Sequence, residues 1–251
     1  MVEGLKLDNK FSKIEKWLSP PDPSINLNKA QKERHKGTGF WFLESQQFKE
    51  WKSGIRQNLW LHGIPGCGKT ILSATIINHL NQQLDSSDAV LHFFFDFTDT
   101  NKQSLDQLVH AAQLYSRHES SRKELEILFS SCDDGRQQPT FESLFATFLR
   151  MVNYVGKTQI IIDALDECTT RKDLLLWMED LTNSGNSRLY LLSTSRKEED
   201  IESELRRWMR HGNLVFIHKR LRHDYGFQRW KSKPTVLDQI ETELMKKAAG
   251  M

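Results

Sequence analysis

Cysteine is scarce in this sequence, and neither sign of charge dominates. The three thiols, Cys67, Cys132 and Cys168, are odd in number and far apart. They make neither a disulfide framework nor a zinc-ligand spacing, which favours a reducing compartment. No apolar run approaches the roughly 20 residues that cross a bilayer. The opening stretch, MVEGLKLDNKFSKIEKWL, lacks the continuous apolar core of a signal peptide. The expectation is therefore a cytoplasmic protein with no membrane partner. A formal net charge of +2 gives no overall pull toward nucleic acid. The nine histidines have no metal spacing, and no internal repeat is visible. What is present is a chain of 251 residues, 38% apolar, which is long enough to bury a core without covalent staples.

The chain divides by pattern. Residues 9–18 read as a short amphipathic helix with Phe11, Ile14 and Leu18 on one face, stopped by Ser19-Pro20-Pro21-Asp22-Pro23-Ser24. A polar linker, INLNKAQKERHKGTG, follows, and then an aromatic-rich helix from about Trp41 to Trp51. From residue 58 short apolar runs alternate with helical periodicity. NLWLH (58–62), AVLHFFFDF (89–97), QIIIDAL (159–165), SRLYLLSTS (187–195) and NLVFI (213–217) read as strands. Helices are expected over Ile71 to Leu84, 104–115, 141–152, 171–182 and 198–210. The segment 104–115 places Leu105, Leu108, Val109 and Ala112 on one face. The segment 141–152 does the same with Phe141, Leu144, Phe145, Phe148, Leu149 and Val152. Alternating strands and helices imply an α/β fold, a mostly parallel five-stranded sheet covered on both faces. The domain reading is a helical extension and linker at 1–57, an α/β domain at 58–217, and a basic connector with a helix at 218–251.

The stretch LWLHGIPGCGKT carries the strongest chemical signal. Gly63-Ile64-Pro65-Gly66-Cys67-Gly68-Lys69-Thr70 fits G-x-x-x-x-G-K-[ST], between an expected strand and an expected helix. Glycines let successive N–H groups turn inward onto phosphate oxygens, and the following helix aims its positive end at the same anion. Lys69, read as an exposed loop side chain, would lie beside the β- and γ-phosphates, and Thr70 would offer its hydroxyl to Mg²⁺. Asp163, at the end of the isoleucine strand, is the expected second Mg²⁺ ligand, since ligands of open parallel sheets bind beyond that strand edge. Asp166 and Glu167 follow. Glu167 is preferred for orienting or activating the attacking water because it reaches furthest past the strand end; Asp166 is the alternative. Arg196, after Ser193-Thr194-Ser195, would sense or stabilise the γ-phosphate, the competing reading being a surface Arg capped by Glu198 and Glu199.

With these motifs in place the chain resembles the NACHT family of STAND-class P-loop ATPases, fungal members with nephrocystin-like N-terminal domains and repeats in particular. The resemblance rests, in order, on WLSPPDPS, RHKGTGFWFLES, LWLHGIPGCGKT, FFFDF, IIIDALDEC and LLSTSR. It implies an ATP/ADP-controlled switch with Mg²⁺, slow hydrolysis, self-association on activation, an effector protein as partner, and a role in fungal nonself recognition. It also implies that Thr38 and Gly39 lie near adenine, although an N-cap role suits Thr38 as well. The sequence lacks the upstream effector, winged helix and repeats of such receptors, so the expectation is a truncated receptor or a minimal ATPase. A nucleotide-binding scaffold without switching is the alternative function. An AAA-type motor would need arginine fingers and pore loops that are not recognisable. Residues 218–233 hold six Lys or Arg against one acid, with aromatics interleaved. Without an RNA-binding motif they read as a solvated connector, and nucleic acid is not an expected partner.

Overall fold

The computed structural model describes residues 2–104, 110–209 and 214–216. Five parallel strands form one sheet in the order β2-β3-β4-β1-β5. They are β1 (Asn58–His62), β2 (Ala89–Phe94), β3 (Thr158–Asp163), β4 (Leu189–Ser195) and the three-residue β5 (Leu214–Phe216), which extends the sheet beyond β1. The helices are α1 (Val2–Leu18), α2 (Ser24–Glu33), α3 (Phe40–Leu43), α4 (Gln46–Ser53), α5 (Lys69–Asn81), α6 (His110–Arg117), α7 (Arg122–Ser131), α8 (Phe141–Val152), α9 (Arg171–Asn183) and α10 (Glu199–Trp208).

Side chains alternate across each strand, so the sheet separates two cores. One face carries Trp60, Leu91, Phe93, Ile160, Ile162 and Leu191, packed with residues of α1 and α6 to α10. The other carries Leu59, Leu61, Val90, Phe94, Ile161 and Leu192, packed with α3, α4 and α5. Both sets are apolar because both faces are covered, which is why the strands read as continuous apolar runs. The exposed edge of β2 is closed by α6. The Gln113 side chain bonds the backbone N–H and C=O of His92 at 3.0 and 2.7 Å, and Arg117 donates to the Val90 carbonyl at 2.8 Å. An unpaired edge would otherwise be open to further strand pairing.

Several expectations are corrected. The polar linker after residue 24 contains α2, a helix with little apolar signature because only Ala30 is buried, with Leu27 packing beside it onto the core that includes α5. The helix expected over Trp41 to Trp51 is two helices. The chain breaks at Ser45, whose hydroxyl accepts from the Phe48 N–H at 3.2 Å and caps α4. Thr38 is not a cap. Gly39 occupies that position for α3 with φ +87°, where a Cβ would come within 3.1 Å of Leu72 and Thr75. Helix α7 was not expected. The β2 run stops at Phe94 rather than residue 97, and β3 at Asp163 rather than 165. Of the face expected over 104–115, Leu105, Leu108 and Val109 lie outside the described residues, while Ala112 is buried. The segment 218–251 also lies outside them.

Candidate functional site

The glycine loop leaves the sheet between β1 and β4. The Gly63 N–H donates to the Ser195 carbonyl at 3.2 Å, which fixes the first residue of the loop to the neighbouring strand end. Gly66 and Gly68 have φ of +71° and +85°. At Gly66 a Cβ would meet nothing within 4 Å, so glycine serves there for backbone conformation rather than for space. Gly68 caps α5, whose first-turn N–H groups have no acceptor within the helix and so offer a positive end to an anion. Lys69 is half-buried rather than exposed. Its ammonium donates to the carbonyls of Gly63 (2.9 Å) and Ile64 (3.0 Å) and ties the loop onto itself. Cys67 packs against the core on the α3–α5 side of the sheet.

Asp163 is the centre of the site. Its carboxylate is fully buried and accepts three hydroxyl bonds, from Thr70 (2.7 Å), Ser73 (2.6 Å) and Thr194 (2.7 Å). Thr70 and Ser73 are three apart on α5 and so share a face; Thr194 comes from β4. Burial pushes the Asp163 carboxyl up, and the hydroxyls of Ser73, Thr70 and Thr194, with the Lys69 charge, pull the other way. Ala164, the next residue, takes φ +60°, a left-handed conformation uncommon for a side chain with a Cβ. Its N–H is held by the Thr194 hydroxyl at 3.1 Å. This kink sends the chain into a 3-10 turn, Leu165–Glu167, which sets both following acids beside the loop.

The two acids have different surroundings. The Asp166 carboxylate accepts from the backbone N–H and from Nε of Arg196, both at 2.9 Å, and its side chain is 4% exposed. Its carbonyl accepts from Arg171, whose guanidinium also pairs Glu198 and Asp200. Arg196 is therefore held by Asp166 and not by Glu198 or Glu199. The Glu167 carboxylate is half-buried and accepts from the Phe97 N–H at 3.0 Å. Burial raises its proton affinity, the Phe97 N–H opposes this, and the charges of Asp166, Asp163 and Asp96 add to the rise. Asp166 is held in an ion pair with Arg196, whereas the Glu167 carboxylate accepts a backbone N–H.

Pro65, Gly66, Gly68, Lys69, Thr70, Asp163, Asp166, Glu167 and Arg196 line one cleft of about 520 Å³. Gly63, Ile64 and Cys67 form the back of the loop instead, and Thr38 and Gly39 do not line this cleft. Sequence reasoning missed Ser73, whose spacing from Thr70 was a usable signal, and the α2 side of the cleft, Asn26, Lys29, Ala30 and Glu33. The hydroxyl and carboxylate oxygens of Thr70 and Asp163 are the hard donors Mg²⁺ takes, and the Thr70 hydroxyl keeps a lone pair while it donates to Asp163. The glycine curl, helix end and Lys69 suit a polyphosphate, so the residues present fit a Mg²⁺-bound nucleotide.

The sequence model of the nephrocystin 3 N-terminal family matches residues 37–196, from the turn before α3 to Arg196. The chain belongs to this nephrocystin-type family. Over 175 residues it is also 31% identical to vegetative incompatibility protein HET-E-1 of Podospora anserina, a fungal NACHT/STAND protein. That match takes in 66% of this chain and 13% of the relative, so the chain spans only a small part of that protein's length. The fungal NACHT type expected from the motifs is thus borne out. In this nephrocystin-type domain the family match takes in the glycine loop, Asp163, the two acids and Arg196. Among the described residues no helix is long and apolar enough to cross a membrane.

Proposed function

We propose that this chain is the Mg²⁺-dependent ATP- and ADP-binding part of a NACHT-type signalling switch, with slow ATP hydrolysis controlling conformation or self-association. The observation that carries the reading is the convergence of Thr70, Ser73 and Thr194 on Asp163 at the mouth of a glycine loop. Two separate chain segments, α5 and β4, converge there on one buried carboxylate of β3. Mg²⁺ would supply charge that neutralises the phosphates and polarises the scissile phosphoanhydride. Thr70 and Asp163 would hold the ion, Ser73 and Thr194 would orient Asp163, and Lys69 would hold phosphate by charge. Glu167 would take the proton of the attacking water. Arg196 can hold Asp166 through Nε and still present its other N–H groups to a phosphate, because a guanidinium has five donors. HET-E-1 is by name a vegetative incompatibility protein; a role of this chain in fungal nonself recognition, with an effector partner, is the corresponding proposal.

The test is calorimetric titration of the chain with Mg-ATP and Mg-ADP, together with phosphate release, for wild type and Lys69→Ala. Binding by wild type and its loss in the variant are expected. Lys69 also ties the loop together, so the thermal midpoint of the variant is measured alongside. Equal affinity in a folded variant would overturn the assignment. Binding without turnover would favour the non-hydrolysing scaffold.

A further inference from the structure

The loop after β2, residues 95–103, wraps the turn that carries Glu167. Phe95 N–H donates to the Asp163 carbonyl at 3.1 Å and Phe97 N–H to the Glu167 carboxylate at 3.0 Å. The Gln103 carbonyl accepts from both the N–H and the hydroxyl of Thr169 at 2.6 Å. This loop is in turn fastened to α2. Asn26 donates its amide N–H to Asp96 Oδ2 at 2.8 Å and accepts from the ammonium of Lys102 with its amide oxygen. Lys102 is 3% exposed; it pairs with Asp99 at 4.0 Å, and its charge also acts on Asp96 and Asp22. The other oxygen of Asp96 accepts from the Thr98 N–H at 2.9 Å and from its hydroxyl, which forms the turn that presents the Phe97 N–H. One amide side chain thus joins both ends of the loop. It does so from α2, which precedes the residues matched by the family model.

We propose that Asn26 is a positioning residue for Glu167. It acts through Asp96, Lys102 and the Phe97 N–H, and so couples the N-terminal segment to the hydrolytic acid. The proposal rests on the hydrolytic reading of the site. Asn26 touches neither Glu167 nor the glycine loop. Its removal cuts the tie to α2 and loosens the turn that presents the Phe97 N–H to Glu167. The Asp96 N–H bond to the Lys102 carbonyl (3.1 Å) and the Phe95 and Gln103 anchors keep the loop seated, and Lys69, Thr70 and Asp163 stay in place.

The experiment compares wild type, Asn26→Ala, Asp96→Asn, Glu167→Gln and the Asn26→Ala/Glu167→Gln double variant of the 251-residue chain. Turnover and KM for Mg-ATP are measured, together with hydrogen exchange of the Phe97 amide by NMR. For Asn26→Ala, kcat is expected to fall about tenfold, the scale of one charge-assisted hydrogen bond, with KM within about twofold of wild type. Phe97 exchange is expected to quicken, and in the Glu167→Gln background Asn26→Ala should add no further loss. Asp96→Asn, which keeps the side-chain shape, should give the same pattern more weakly. Unchanged Phe97 exchange in Asn26→Ala overturns the proposal, and so does an equal loss of kcat with and without Glu167. Wild-type turnover in Glu167→Gln overturns the role given to Glu167 itself. No turnover by the wild-type chain overturns the hydrolytic reading and this proposal with it.

Discussion

Thr194 offers the sharpest test of how the site is held together. Its hydroxyl is fully buried, donates to Asp163 at 2.7 Å and accepts the Ala164 N–H at 3.1 Å. One oxygen therefore stabilises both the carboxylate and the left-handed residue that follows it. Thr194→Val keeps the shape and opens no cavity, so its cost is the polar one alone. The Ala164 N–H loses its acceptor at a residue that is already strained, and Asp163 loses one of three donors. A buried group left unpaired costs roughly 1–3 kcal/mol, and a hydrogen bond to a charged acceptor is worth about 1.5–3 kcal/mol. The two overlap in one network, so a loss of about 3 kcal/mol is expected. Thr194→Ser keeps both hydrogen bonds and loses one methyl group, for about 1 kcal/mol. The assay is urea unfolding at neutral pH, read as a shift of midpoint at constant slope. If Thr194→Val proves no less stable than Thr194→Ser, the shared hydroxyl is not what holds the strand ends, and the account of Ala164 fails.

Other expectations concern titration, turnover and reactivity. His92 is 2% exposed, neither ring nitrogen has a hydrogen-bond partner, and burial, then the Arg117 charge, lowers its pKa from 6.5 to about 4. Above about pH 6.5 the ring is neutral in both folded and unfolded chains. As the pH falls toward 4 the unfolded chain takes the proton first, so stability declines by about 3 kcal/mol and then levels off. His92→Leu should flatten that slope in unfolding curves taken across the range; an unaltered slope refutes the assignment. Glu167→Gln should slow ATP turnover by about a hundredfold while nucleotide affinity changes little, consistent with loss of a general base; wild-type turnover would point back to Asp166. Cys67 and Cys132 are both partly exposed and Cys168 is buried, with burial raising its pKa. Alkylation mapped by mass spectrometry should therefore spare Cys168, and Mg-ATP should slow Cys67 relative to Cys132. Equal slowing of both would remove Cys67 from the neighbourhood of the phosphates.

Local patterns that depend on contiguous residues were legible in the sequence. Helix α8 was bounded at Phe141 and Val152 as found, because a wide apolar stripe marks its buried side. The five strands were found within a few residues because burial on both faces forces apolar runs. The glycine loop and Asp163 were legible since the motif is a chemical requirement at fixed spacing. Helix α2 was not legible: a helix that docks through Ala30 and Leu27 leaves almost no periodic signal. Nor could spacing choose between Asp166 and Glu167. Their different surroundings depend on Arg196 arriving from β4 and the Phe97 N–H from the loop after β2, each many residues away. The sequence by itself determined which chemistry the chain can offer, since residue types and short-range spacing set donors, charges and backbone freedom. Tertiary structure alone decided which acid is paired, which hydroxyls reach Asp163 and which N-terminal residue fastens the loop. Those relations depend on strand order and packing, and contacts between distant segments leave no trace in local pattern.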